Sequence, residues 1–166
     1  MVKKIIFAII LIIAAALAVY FIFFGKSEEF KIRRMLNSLC QDAARSKENS
    51  SPAALLLKTN VLKNYFTDPC NLSVHQGILN GSYSDVRAAN EIMRANLFLQ
   101  SSTLSFSDLI ISVNLPEAEA VFTGRFQAVL KGGGSVDEVR EVELKLHKID
   151  NKWKISSAKI HKIMER

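Results

Sequence analysis

The sequence is poor in the residues that build most recognisable chemistry. It holds two cysteines, three prolines, one tryptophan and three histidines in 166 residues. No Cys-x-x-Cys pair, no histidine pair at helical spacing and no Gly-x-Ser-x-Gly occurs. That leaves no zinc ribbon, metalloprotease helix or nucleophile elbow to propose. The glycine cluster Gly132-Gly133-Gly134 lacks the Lys-Ser/Thr that completes a phosphate loop, and it falls between strand-like segments. No metal and no cofactor is expected. Charge of one sign is also scarce: residues 27–166 hold 19 basic and 16 acidic side chains, a net charge of about +3. The basic residues are dispersed and no aromatic-and-basic stacking surface accompanies them, so nucleic acid is not an expected partner. Lys152, Lys154, Lys159, Lys162 and Arg166 read as a solvated strand face rather than a phosphate or lipid-headgroup patch.

What the sequence has in quantity is apolar length at its start. Residues 5–24, IIFAIILIIAAALAVYFIFF, contain no charge, glycine or proline. Twenty such residues in a helix span about 30 Å, the thickness of a bilayer's hydrocarbon core. Two readings compete. Lys3 and Lys4 before the run and Ala16-Leu17-Ala18 within it suit a cleaved signal peptide, but the run continues six residues past Ala18, longer than a signal peptide's apolar core. The length favours an uncleaved anchor. Lys and Arg counts on the two flanks lean towards a translocated amino terminus; the cationic amino end and the ease with which long domains translocate lean the other way. We expect the second arrangement, a single-pass protein of the cell (inner) membrane with its soluble part extracytoplasmic. The division is then a tail at 1–4, the anchor at 5–24, a linker at 25–28 and one domain at 29–166, long enough for a real core. Cys40 and Cys70 are buried thiols if the compartment is reducing and a candidate disulfide if it is oxidising.

Beyond the linker, Ile32, Met35, Leu36, Leu39 and Ala43 recur at three- and four-residue steps and predict a helix from about Glu29 to Arg45. Ser51-Pro52 opens a second helix that Asp68-Pro69 should stop. Leu72 and Val74 suggest a short strand, Asn80-Gly81 a turn, and Ser84 the N-cap of a third helix with Asp85 in its first turn. The rest alternates. Thr103–Val113 forms a strand whose alternation slips near Ser107-Asp108, where a bulge is expected. Asn114-Leu115-Pro116 turns the chain. Ala120, Phe122, Phe126, Ala128 and Leu130 face inward and Arg125 outward. Val142, Leu144 and Leu146 share a buried face with His147 on the other. Asp150-Asn151 closes a two-residue hairpin, and Trp153 opens the last strand as a core anchor. Helices first and a long meander after give an α+β domain.

This order resembles the nuclear transport factor 2-like superfamily and its SnoaL-like members. Local similarity lies in Tyr83-Ser84-Asp85 opening the third helix, Leu104–Ile111, Glu119–Gly124 and the final hairpin Asp150-Asn151-Lys152-Trp153-Lys154-Ile155. The resemblance implies a cone-shaped domain, helices packed on a bent antiparallel sheet around a pocket, and spans many activities. Enzymes of that superfamily place an acid or base inside the cone. His75, Tyr83 and Asp85 are the one polar trio the sequence offers, at the pocket mouth; the bland alternative is a surface His, a helix-start Asp and a packed Tyr. No catalytic residue is therefore expected. The functional expectation is a membrane-anchored, non-enzymatic binding or assembly module. Its partners would be the bilayer through residues 5–24, a membrane protein or a second copy, and an apolar small ligand. The alternatives are a scaffold subunit of a secretion or conjugation machine, and an enzyme or carrier acting on an apolar small molecule in the cone.

Overall fold

The computed structural model describes residues 27–45, 52–74 and 79–162. Helix α1, Glu28–Ala43, starts where the Ser27 hydroxyl accepts from the Phe30 amide. It buries Ile32, Leu36 and Ala43, one face of the expected stripe. Helix α2, Pro52–Leu62, tightens into a single 3-10 turn at Lys63–Tyr65 and enters strand β1, Phe66–Val74, directly. The expectation that Asp68-Pro69 stops this helix is corrected: helical structure ends at Tyr65 and the dipeptide lies inside β1. Proline donates no hydrogen bond to a ladder, and the pairing of β1 breaks its register between Phe66 and Asn71, around Pro69.

Asn80-Gly81, expected as a turn, belongs to a second strand, β2, Asn80–Tyr83, which pairs antiparallel with β1 from Cys70–Tyr83 to Ser73–Asn80. Helix α3, Asp85–Leu97, is capped by Ser84, whose hydroxyl accepts from the Arg87 amide, and buries Ala88, Ala89, Met93 and Asn96. Four long strands follow: β3 Leu99–Asn114, β4 Glu117–Leu130, β5 Ser135–Ile149 and β6 Lys152–Lys162. The sheet order is β2-β1-β6-β5-β4-β3. It is mixed rather than antiparallel, because β1 and β6 run parallel. The last strand of the meander closes beside β1 with no hairpin between them, so nothing forces those two to reverse.

Local expectations hold at the bulge and the last hairpin. The β3–β4 register shifts between Ser107 and Ile110, with Asp108 at φ 55°. Asp150 and Asn151 sit at φ 48° and 62°, the backbone of a tight two-residue hairpin. The helix-covered face of the sheet carries alanine where α1 lies on it: Ala118 and Ala120 are buried with Ile32, Leu36, Leu144, Leu146, Trp153 and Ile155 in one core cluster. A second cluster, Ala43, Leu62, Ala89 and Met93, joins the three helices. Among the described residues no helix is long and apolar enough to cross a membrane; the run at 5–24 lies outside them.

Candidate functional site

The inner face of the meander and the helices enclose a cavity of about 540 Å³. Its walls follow from strand register. Side chains two apart share a face, and directly paired residues stand side by side. Successive rows across the sheet are Leu104, Phe126 and Glu138; Phe106, Gly124 and Arg140; Phe122, Val142 and Ile160; and Leu144, Ala158 and Leu72. All twelve line the cavity, with Leu36, Leu39, Cys40 and Ala43 from α1 and Ile92 and Asn96 from α3 opposite them. The Phe106 and Phe122 rings meet at 5.5 Å between centroids, tilted by 52°. Gly124 keeps the wall thin beside them, since a Cβ there would stand 3.3 Å from Val142 Cγ2.

The rows are apolar at the floor and charged at the rim. Arg140 Nη2 lies 2.9 Å from Glu138 Oε2 on the same face of β5. Arg125, on the outer side of the rim, holds Asp137 with two bonds of 2.9 and 2.6 Å. The guanidinium depresses the Asp137 carboxyl to about 2, and the carboxylate in turn raises the Arg125 pKa. Glu91 accepts from Arg94, and His161 lies 3.5 Å from Glu143. Each charged rim group already has a partner of opposite sign, or one that becomes so when His161 is protonated.

The polar groups deeper in are committed to structure. Asn96 donates its side-chain amide to the Ala43 carbonyl at 3.0 Å, while its backbone carbonyl accepts from Arg45 Nη1 at 2.5 Å. The Arg45 amide donates to Ser102 Oγ at 2.9 Å, which ties the end of α1 to α3 and β3. Tyr65 donates to Asp42 at 2.5 Å, and burial, then that carboxylate, pushes the phenol well above its usual range. Among the described residues no buried side-chain polar atom lacks a partner and no group of three or more acids, cysteines or histidines could hold a metal.

Of the expected trio, His75 lies outside the described residues. Tyr83 is packed in the main core with the Arg87 guanidinium 5.0 Å from its ring centroid. Asp85 opens α3 and accepts from the Val86 amide at 2.6 Å. Neither Tyr83 nor Asp85 is among the residues that line the cavity. Cys40 and Cys70 are both free thiols, Cys40 half-buried in the cavity wall and Cys70 fully buried away from it. Burial raises both, Cys70 to about 11. Sequence reasoning missed Glu138 and Arg140. The signal was present: counting back by twos from Val142 puts both on the buried face, at the strand end where burial fades.

No family model matches the chain, and no curated protein matches it in sequence. Solved structures do match in shape. The Kfla4162 protein of Kribbella flavida superposes with a TM-score of 0.70 at 10% identity, over 86% of this chain and 95% of its own. An NTF2-like protein with a cystatin-like fold from Novosphingobium aromaticivorans gives 0.64 at 12% identity, over 90% of each chain. A nuclear transport factor 2 (NTF2-like) superfamily protein from Salmonella enterica gives 0.63 at 16% identity, over 81% of this chain and 89% of its own. The described domain therefore has the α+β nuclear transport factor 2-like fold.

Proposed function

We propose that the chain is a single-pass, membrane-anchored binding module whose extracytoplasmic cone holds an apolar small molecule without transforming it. One observation carries this reading: a cavity of about 540 Å³ with apolar walls and its charges confined to a self-paired rim. That size falls within the range of about 300–1,000 Å³ typical of small-molecule sites. An acid or base must reach the reacting atoms with a tuned pKa. The described groups facing the cavity floor are hydrocarbon, a half-buried thiol whose pKa burial raises, and an amide already bonded to backbone. The anchor at 5–24 confines such a binder to the bilayer surface.

The test fills the cavity. Ala158 sits on its inner wall between Leu144 and Leu72. The full chain in lipid nanodiscs should enhance the fluorescence of N-phenyl-1-naphthylamine beyond that of empty discs. Ala158→Phe should remove that excess with no drop in thermal midpoint. Equal signals from the parent chain, the variant and empty discs would refute a ligand site here.

A further inference from the structure

The geometry points to a second contact between this protein and lipid: the end of the domain next to residue 27 rests on the bilayer surface through Phe30, Leu115 and Ile149. This inference rests on the anchor at 5–24. Only Gly25 and Lys26 separate that apolar run from Ser27, the cap of α1. Three elements meet at this end. Glu28 in the first turn of α1 accepts from Lys148 Nζ at 2.9 Å and from Trp153 Nε1 at 2.8 Å, one on each side of the β5–β6 turn. The Lys148 amide donates to the Pro116 carbonyl at 2.9 Å, which fixes the β3–β4 turn beside it. Each of the three presents one large apolar side chain to the outside: Phe30 at 48% exposure, Leu115 at 59% and Ile149 at 38%.

The opposite end also exposes apolar side chains, Leu97 at 49% and Phe98 at 71%; what singles out Phe30, Leu115 and Ile149 is that their end follows the apolar run by two residues. Against lipid they can enter the interfacial layer. The tether raises the effective concentration of the surface to the order of millimolar, so contacts too weak to hold a free protein suffice. Charge does not direct the contact. Lys31 and Lys148 are both engaged by Glu28, and the same end carries exposed charges of both signs in Lys152, Glu29 and Glu117. The contact should therefore persist in high salt and on uncharged phosphatidylcholine.

The experiment places tryptophan at each end of the full chain in phosphatidylcholine vesicles, with and without bromine on the upper acyl chain as a quencher. Leu115→Trp and Ile149→Trp report the proposed surface. Phe98→Trp reports the opposite end, where the Phe98 carbonyl accepts from the Lys131 amide beside the β4–β5 turn. Trp153, common to all, is subtracted using the parent chain. The expected result is that the added fluorescence at 115 and 149 is mostly lost in brominated vesicles, in low and high salt, while that at 98 is kept. Equal behaviour at both ends, in a protein that stays with the vesicles through an alkaline carbonate wash, overturns this surface and leaves the anchor standing. Release of the protein in that wash overturns the anchor and this surface together.

Discussion

At the scale of single residues, Glu28 joins more of the molecule than any other charged group described. Its carboxylate accepts from Lys31, Lys148 and the Trp153 indole, linking the start of α1 to the last hairpin. The bonds from Lys31 and then Lys148 hold its pKa down to about 2 from an ordinary 4.5, against the opposing effect of burial. A depressed carboxyl stabilises the fold above its unfolded pKa and loses that contribution as pH falls through the folded one. Stability should thus be flat above about pH 5 and decline between about pH 4.5 and 2. Glu28→Gln should lower stability at neutral pH by about 2 kcal/mol and flatten the acid decline. Chemical denaturation across that pH range measures both; an unchanged acid slope in the variant would show that other carboxylates carry it. Trp153 was legible as a core anchor from its place after the hairpin. Its partner was not, because Glu28 stands 125 positions away and no local pattern joins them.

At the scale of elements, legibility followed the range of the forces involved. The cap at Ser84 and the hairpin turn at Asp150-Asn151 depend on neighbours a few residues away, and both are where the sequence placed them. The bulge at Asp108 betrayed itself as a slip in alternation. The parallel β1–β6 pairing did not, since two strands eighty residues apart leave no mark of their relative direction in either one. Pro69 misled for a related reason: it breaks helices, but it also sits in strands where the ladder is interrupted, and only the paired strand shows which applies. Substitutions at two positions test this level. Asn151 is held at φ 62°, a backbone that favours glycine or asparagine. Asn151→Val should therefore lower stability by about 1–2 kcal/mol, while Asn151→Gly should be nearly neutral. Ala120, wholly buried, lets α1 approach the sheet. Ala120→Leu should cost about 1–3 kcal/mol through overpacking, seen as a lower thermal midpoint with an unchanged far-ultraviolet spectrum.

At the scale of the whole molecule, the cavity and the proposed bilayer contact lie at opposite ends of one sheet. Arg140 at the cavity rim and Ile149 at the lipid end are nine residues apart on β5, up to about 30 Å along an extended strand. The α1 residues that line the cavity, Leu36 to Ala43, belong to its second half, away from the end capped by Ser27. In the membrane arrangement proposed above, the mouth would open away from the bilayer, and a ligand would pass between the cavity and the aqueous side or a docked partner, not sideways out of the lipid. The two thiols make this testable. Cys40 faces the cavity, whereas Cys70 is fully buried in the core behind it. With the chain in sealed vesicles, domain outward, a membrane-impermeant maleimide should modify Cys40 without prior reduction and leave Cys70 untouched until the fold is denatured. The rate should rise steeply with pH, since burial holds the Cys40 thiol above its usual pKa and only the thiolate reacts. Ala158→Phe or a bound naphthylamine should slow the reaction at least several-fold. A Cys40 that reacts only after reduction would mean that it is paired in the membrane-bound protein. A Cys40 that reacts freely with a lipid-soluble maleimide but not with the impermeant one would place the cavity mouth against the bilayer and reverse the orientation argued here.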